Sequence, residues 1–262
     1  MTKKIPVASA SAPEMLHARP ARKPGRPKLD APAGSIAPAL SREQILDHAT
    51  ALARTEPLSE ISMVGLARDL GVAPGLIHYY IGSRDDLISG VVKRYFKERE
   101  LRQQPLTGIW QEDLRRSAVL SFDLGLEYGG VMRYTMSHKR FRLFQKVSEG
   151  ETDYGMLYLD RVAGILEGAG FSRGHAALCY HLLTQFVMSS CYAEVSRQLP
   201  AFHEHYILEQ IAARPVEQLP GAHYIAEAFS TLDSAASFPQ GLGLLIASFE
   251  SLLDSPGQAS AG

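Results

Sequence analysis

The amino-acid sequence predicts an all-α fold, with a short three-helix unit near the N-terminus and a larger helical bundle after it. Three observations carry this. Apolar residues recur at three- and four-residue spacing from Ile45 onward, and no segment alternates as a half-buried strand does. Ser and Pro stand where these runs begin, as helix caps and first turns require. Gly stands where several of them end.

The elements follow in order. Ser41 to Gln44, SREQ, is a capping box, with Ile45, Leu46, Ala49, Leu52 and Ala53 in helical register behind it and Pro57 just past the helix. Ser62 opens a second helix on Met63, Leu66, Ala67 and Leu70, and Gly71 closes it. Pro74 suits the first position of a third helix, PGLIHYYI, which stops at Gly82. Ser83 caps a fourth, with Asp85 and Asp86 in its first turn, running on Leu87, Val91 and Tyr95 to about Gln104. Further helices are predicted near 108–128, 131–147, 152–169, 173–198, 201–212, 222–233 and 239–254.

The chain has 262 residues, 45% hydrophobic and 21% charged, which suits one large or two smaller folded domains. Its formal net charge of −1 hides an asymmetry. Residues 1–40 hold seven basic side chains against Glu14 and Asp30, so the remainder is acidic. This segment, rich in Ala, Pro and Ser without periodicity, is expected to be a disordered basic arm that meets a polyanion. The division is therefore an arm over 1–40, a helical unit over 41–88 and a bundle over 89–262.

Other classes are disfavoured. Cys179 and Cys191 fall on one predicted helix, about 120° apart around it, and cannot pair there. No apolar run approaches membrane-spanning length, and IPVASASAPEML is too interrupted for a signal core. A cytoplasmic protein without membrane contact is expected. There is no phosphate loop, nucleophile elbow or zinc-protease motif, so no catalytic residue and no enzyme is expected. His175 with Cys179 makes at most half a metal site, to which His203 and His205 could add, and neither metal nor cofactor is expected.

The second and third helices make a helix-turn-helix pattern, SMVGLARDLGVAPGLIHYYI. Ala67 is small where the helices cross, Gly71 turns the chain, and Leu66, Val72 and Ile77 fill the core behind the turn. The wider stretch GVAPGLIHYYIGSRDDLI resembles the TetR family of bacterial transcription repressors, with Gly71, Val72, Gly75, Ile77, Tyr79, Ser83, Arg84, Asp85 and Leu87 at matching places. The resemblance covers about residues 41–90, and SFPQGLGLLIASFESLL looks like the family's closing helix. Ile81 and Tyr80 depart from it, replacing the usual Phe and His, as does His78 before Tyr79.

The resemblance implies a homodimer on a near-palindromic double-stranded DNA operator, acting as a repressor released by a small-molecule effector. An activator, or an architectural binder led by the arm, is the alternative within DNA binding. Implied phosphate contacts are Tyr79, Arg84 and Ser62, with Ala73, Pro74 and Gly75 at the head of the recognition helix. That helix, Ala73 to Ile81, carries no formal charge, so base reading falls to His78, to the hydroxyls of Tyr79 or Tyr80, or to apolar contact with thymine methyls. An effector site is implied within 108–200, with Trp110, Tyr128, Met132 and Phe141 as large members. His138, Tyr154, His181 and Gln185 are its polar ones. The dimer is expected through the helices near 173–198 and 239–254, on Leu178, Leu182, Leu183, Phe186, Leu242, Leu245, Ile246 and Phe249. In the arm, RKPGRPK resembles an AT-hook, which would lay Arg26 in the minor groove of A·T-rich DNA; a plain basic tail that adds phosphate attraction is the alternative.

Overall fold

A computed structural model of the chain describes residues 40–139 and 145–253, all within one compact unit, Leu40–Gly262. Every regular element among the described residues is helical. The first four helices start as their caps dictate: α1 Arg42–Leu52, α2 Met63–Asp69, α3 Pro74–Ile81 and α4 Arg84–Leu101. Ser41 and Ser83 each form a complete capping box, with Gln44 and Asp86 reaching back to the cap N–H. Gly71 takes φ +67° between α2 and α3, a conformation that strains any other L-residue.

Seven more helices follow: α5 Trp110–Glu127, α6 Gly129–Ser137, α7 Tyr154–Gly168, α8 Arg173–Val195, α9 Glu204–Ala212, α10 Pro220–Ser230 and α11 Ser234–Leu253. A 3-10 turn, Pro200–His203, leads into α9. Two depart from the sequence reading. The helix expected over 131–147 ends at Ser137, whose hydroxyl donates back to the carbonyls of Arg133 and Tyr134 at 2.9 and 3.2 Å and closes the last turn. The last helix begins five residues before Pro239, because Asp233 caps it by accepting the N–H of Ala236 at 2.8 Å. Pro239 therefore lies inside the helix, one turn in.

One apolar core runs from Ile45 in α1 to Phe249 in α11. In its C-terminal half α5, α8 and α11 pack together. There Phe238 stacks on Phe122 at 3.8 Å and on Phe186 at 5.5 Å. In its N-terminal half α1, α2 and α3 pack on one another and on α4. The boundary expected at 88/89 falls inside α4, a continuous helix that contacts α1 and α3 with its first turns and α5 and α7 further along.

A second joint fastens the two halves. The α5–α6 corner, Tyr128 to Gly130, lies against the end of α1. Gly130 N–H donates to Ala53 O at 3.1 Å, and a Cβ on Gly130 would sit 1.9 Å from the Glu56 carbonyl oxygen. Tyr128 is buried beside it. Its hydroxyl accepts from Arg54 at 3.3 Å and donates to Glu98 of α4, and the Arg54 guanidinium lies 4.5 Å from the ring centroid. Arg54 and Arg102 both reach Glu127, at 3.3 and 2.7 Å. The Arg102 hydrogen bond, opposed by partial burial and helped by Arg54, holds the Glu127 carboxyl below its ordinary range. Burial and then Glu98 push the Tyr128 phenol up to about 12.

Gly130→Ala is expected to lower stability by at least about 2 kcal/mol, because the clash is with backbone that cannot rotate away. A thermal or urea melt with a midpoint unchanged from wild type would contradict this joint.

Candidate nucleic-acid interface and core cavity

The helix-turn-helix presents a surface set by its own small core. Ile77 and Ile81, one turn apart, are buried against Leu66 and Ala67, so the opposite face of α3 must point outward. Ala73, Pro74, Gly75, His78 and Tyr79 are all exposed there. Tyr79 is 80% exposed, its ring edge-on to Tyr80 at 5.2 Å, and Tyr80 packs against the core. His78 Nδ1 lies 3.2 Å from Gly82 O. A Cβ on Gly75 would meet nothing within 4 Å, so another surface can approach the backbone closely at this point. Ser62 caps α2, its Oγ accepting from Gly65 N at 2.9 Å.

Arg84 is exposed at the head of α4. Its guanidinium donates to the carbonyls of Ser59 at 2.6 Å and Leu58 at 3.3 Å, bracing the loop between α1 and α2. Arg26 lies outside the described residues, as does the whole basic arm up to Ala39.

The bundle holds a small cavity of about 50 Å³ among α4, α5, α6, α7 and α8. On α4 it is lined by Val92, Tyr95, Phe96 and Arg99, which are i, i+3, i+4 and i+7 of one helical face. Facing them are Ser121, Val131, Met132, Thr135, Tyr158 and, on α8, Tyr180, Thr184, Val187, Met188 and Cys191. Its lining is mostly apolar with a few polar groups, the composition that small-molecule sites show. Burial pushes the Cys191 thiol up to about 12, so it stays protonated. Both cysteines are free.

Of the effector residues expected from sequence, the cavity takes in Met132. Tyr128 is instead the pivot of the joint with α1, its hydroxyl committed to Arg54 and Glu98. Trp110 packs edge-on against Phe171 at 5.2 Å, and His138 lies on Tyr134 at 4.6 Å. Tyr154, half-buried, packs at the margin of the core. His181 and Gln185 are exposed on α8, on the side away from Cys179 and Leu183. Phe141 lies outside the described residues. Arg99, which the sequence analysis does not single out, also lines the cavity; its signal in the sequence is a lone charge continuing the Val92, Tyr95, Phe96 stripe. His175 Nδ1 lies 2.9 Å from Leu252 O, and among the described residues no three His, Cys, Asp or Glu gather as a metal site.

A helix-turn-helix with an exposed recognition helix, joined to a helical bundle enclosing a cavity, defines a class of DNA-binding transcription regulator rather than an enzyme. Residues 104–253 match the family model described as the tetracyclin repressor-like C-terminal domain, and the chain belongs to the TetR family of transcriptional regulators. Among solved structures it is similar to apo ActR from Streptomyces coelicolor, with 22% identity over 82% of this chain and 99% of that one and a TM-score of 0.66. ActR in complex with actinorhodin matches at 23% identity, over 82% and 99%, with a TM-score of 0.66. TetR from Acinetobacter baumannii AYE matches at 18%, over 82% and 100%, with a TM-score of 0.56. No curated protein sequence gives a significant match. No helix among the described residues is long and apolar enough to cross a membrane.

Tyr79→Phe should leave the melting temperature unchanged and weaken binding to all DNA sequences alike, since it removes only a hydroxyl at an exposed position. His78→Ala should instead change preference at one or two base pairs, by about 1–3 kcal/mol for each base no longer read. Binding isotherms on an operator and its single-base variants separate the two, and equal losses on every sequence for both would remove His78 from base reading.

Proposed function

We propose that the protein is a homodimeric repressor, working in the cytoplasm, that leaves a near-palindromic operator when a small molecule fills the α4–α8 cavity. The observation that carries this is α4. Only Gly82 and Ser83 separate it from the recognition helix, it fastens to Tyr128 through Glu98, and one of its faces lines the cavity. A ligand that moves the lining face of α4 therefore bears on the joint and on α3 together. The ligand acts only if it favours the conformation that does not fit DNA. The actinorhodin and (S)-DNPA complexes of ActR support a small-molecule site in this fold.

In this reading Ser62, Ala73, Pro74, Gly75, His78 and Tyr79 meet the operator. Tyr80 supports Tyr79 from behind, and Arg84 shapes the loop that precedes α2. Residues 1–40, through Arg26, add charge or a minor-groove contact beside the 41–88 unit, and 89–262 serves ligand and partner. Two recognition helices enter successive major grooves only if a dimer holds them about 34–36 Å apart.

The partner surface is supported by apolar residues that the single chain leaves uncovered. Leu178 and Leu182 on α8 are 44% and 38% exposed, and Leu244 on α11 is 75% exposed. By contrast Leu183, Leu242, Ile246 and Phe249, also expected at the interface, are buried within their own subunit. Elsewhere α9 buries no residue and α10 buries only Ser230, while Tyr206 and Tyr224 stand in solvent. A free monomer rarely presents so much.

Light scattering at micromolar concentration should give a dimer, and Leu182→Glu with Leu244→Glu should give a folded monomer that no longer binds the operator. The DNA upstream of the gene, searched for an inverted repeat and titrated by fluorescence polarisation, tests the whole reading. A dimer that binds this DNA no better than unrelated sequence would reject it.

A further inference from the structure

We propose that the cavity selects an organic acid: a largely apolar body bearing one oxyanion, which Arg99 receives. This rests on the reading of the cavity as the effector site. Arg99 is 6% exposed and lines the cavity, and its Nε and Nη2 atoms are buried with no hydrogen-bond partner among the described residues. No carboxylate lies within salt-bridge distance of it among those residues. The other arginines of α4 and its C-cap, Arg84, Arg94 and Arg102, are all held by carbonyl or carboxylate oxygens.

What holds Arg99 is aromatic, with one hydrogen bond to the Tyr95 hydroxyl. Its guanidinium carbon lies 3.6 Å from the Tyr158 ring centroid, 4.9 Å from Phe96 and 5.9 Å from Tyr95. Tyr158 is itself fixed by the Ser121 hydroxyl at 3.2 Å. Ring faces steady a cation without satisfying its N–H donors, which point along the plane of the guanidinium. Nor do the cavity's acidic protons supply an anion. Burial raises the Tyr95 phenol more than the neighbouring Arg99 lowers it, and Cys191 is held protonated.

A buried guanidinium with two nitrogens left without an acceptor is costly, and an apolar residue of similar size would suit this lining better for stability alone. An oxyanion turns that cost into selectivity. It pairs with preoriented donors in a site of low dielectric, where charge-assisted hydrogen bonds are strongest. Val131, Met132, Val187 and Met188 then cover the body of the ligand. Arg99 also follows Glu98, so an acid drawn to one residue pulls on the helical turn that holds Tyr128 through the other.

The test uses two probes with the same ring system, 8-anilinonaphthalene-1-sulfonate and neutral N-phenyl-1-naphthylamine, titrated into the full chain by fluorescence. Thr184→Phe fills the cavity, and the part of each signal it removes is cavity binding. The wild type should hold the sulfonate at least about tenfold tighter than the amine. Arg99→Met should abolish that preference while keeping the amine, with a melting temperature at or above wild type; Arg99→Gln is the second variant should Arg99→Met fail to fold. Equal cavity binding of the two probes by wild type would overturn the acid and leave the cavity reading standing. So would a preference that survives both Arg99 variants. If neither probe gives a signal that Thr184→Phe removes, the cavity reading falls as well.

Discussion

The structure depends on how closely the α5–α6 corner approaches the end of α1. Gly130 brings backbone onto backbone there, so near that a single methyl group has no room. Because the approach is steric, it sets a position rather than merely a preference. Around it the polar groups are arranged to close: Tyr128 is buried between Arg54 and Glu98, and Arg102 ties Glu98 and Glu127 together. These ion pairs are individually weak because their side chains are part-exposed. Their use is geometric. They make the position of α1 depend on the position of α4.

That dependence explains why α4 can serve two surfaces. Packed cores shift between discrete arrangements rather than deforming smoothly, so a change at the lining of the cavity has few ways to be absorbed. Val92, Tyr95, Phe96 and Arg99 face the cavity, whereas Glu98 faces the joint and Asp86, at the other end of the helix, caps α4 directly behind the recognition helix. The segment after the undescribed residues adds a strap. Lys146 donates its N–H to Ser89 at 2.5 Å and its ammonium to Asp86 at 2.7 Å, and Lys93 pairs with Glu151 at 2.8 Å. The Lys146 and Ser83 hydrogen bonds hold the Asp86 carboxyl well below its usual range, so the strap and the cap stay charged together at neutral pH.

Much of this was legible in the sequence wherever the cause was local. The caps at Ser41, Ser62 and Ser83, the turn at Gly71 and the first-turn Pro74 each act over three or four residues, and each element began where its cap lay. The family resemblance carried the same region. Legibility ended where the cause was tertiary. Tyr128 reads as a ligand-site aromatic until its neighbours across the joint are known. His181 and Gln185 fall on a helix that lines the cavity, but on its exposed side. The cavity is a gap between five helices, and no periodicity marks a gap. Arg99 was the exception that went unread: a charge at the fourth place of an apolar stripe breaks the pattern of a core-facing helix, and such breaks tend to be functional.

The weakness of the DNA surface bears on how such a switch can work. The outward face of α3 carries no charged residue, so it lacks the bidentate arginine contact with guanine that commonly anchors a recognition helix. Base contacts at each half-site then contribute little by themselves, and affinity draws on two half-sites engaged at once and on the charge of the 1–40 arm. In that regime the second half-site is engaged at an effective concentration set by geometry, and that engagement vanishes when the spacing no longer fits. A strongly basic recognition helix would keep hold of DNA by charge through a modest tilt. An uncharged one loses it. The proposed repressor therefore needs no large motion from its effector: a displacement of α4 that moves the two helices off the groove spacing removes the cooperative part of binding and leaves the arm's charge attraction.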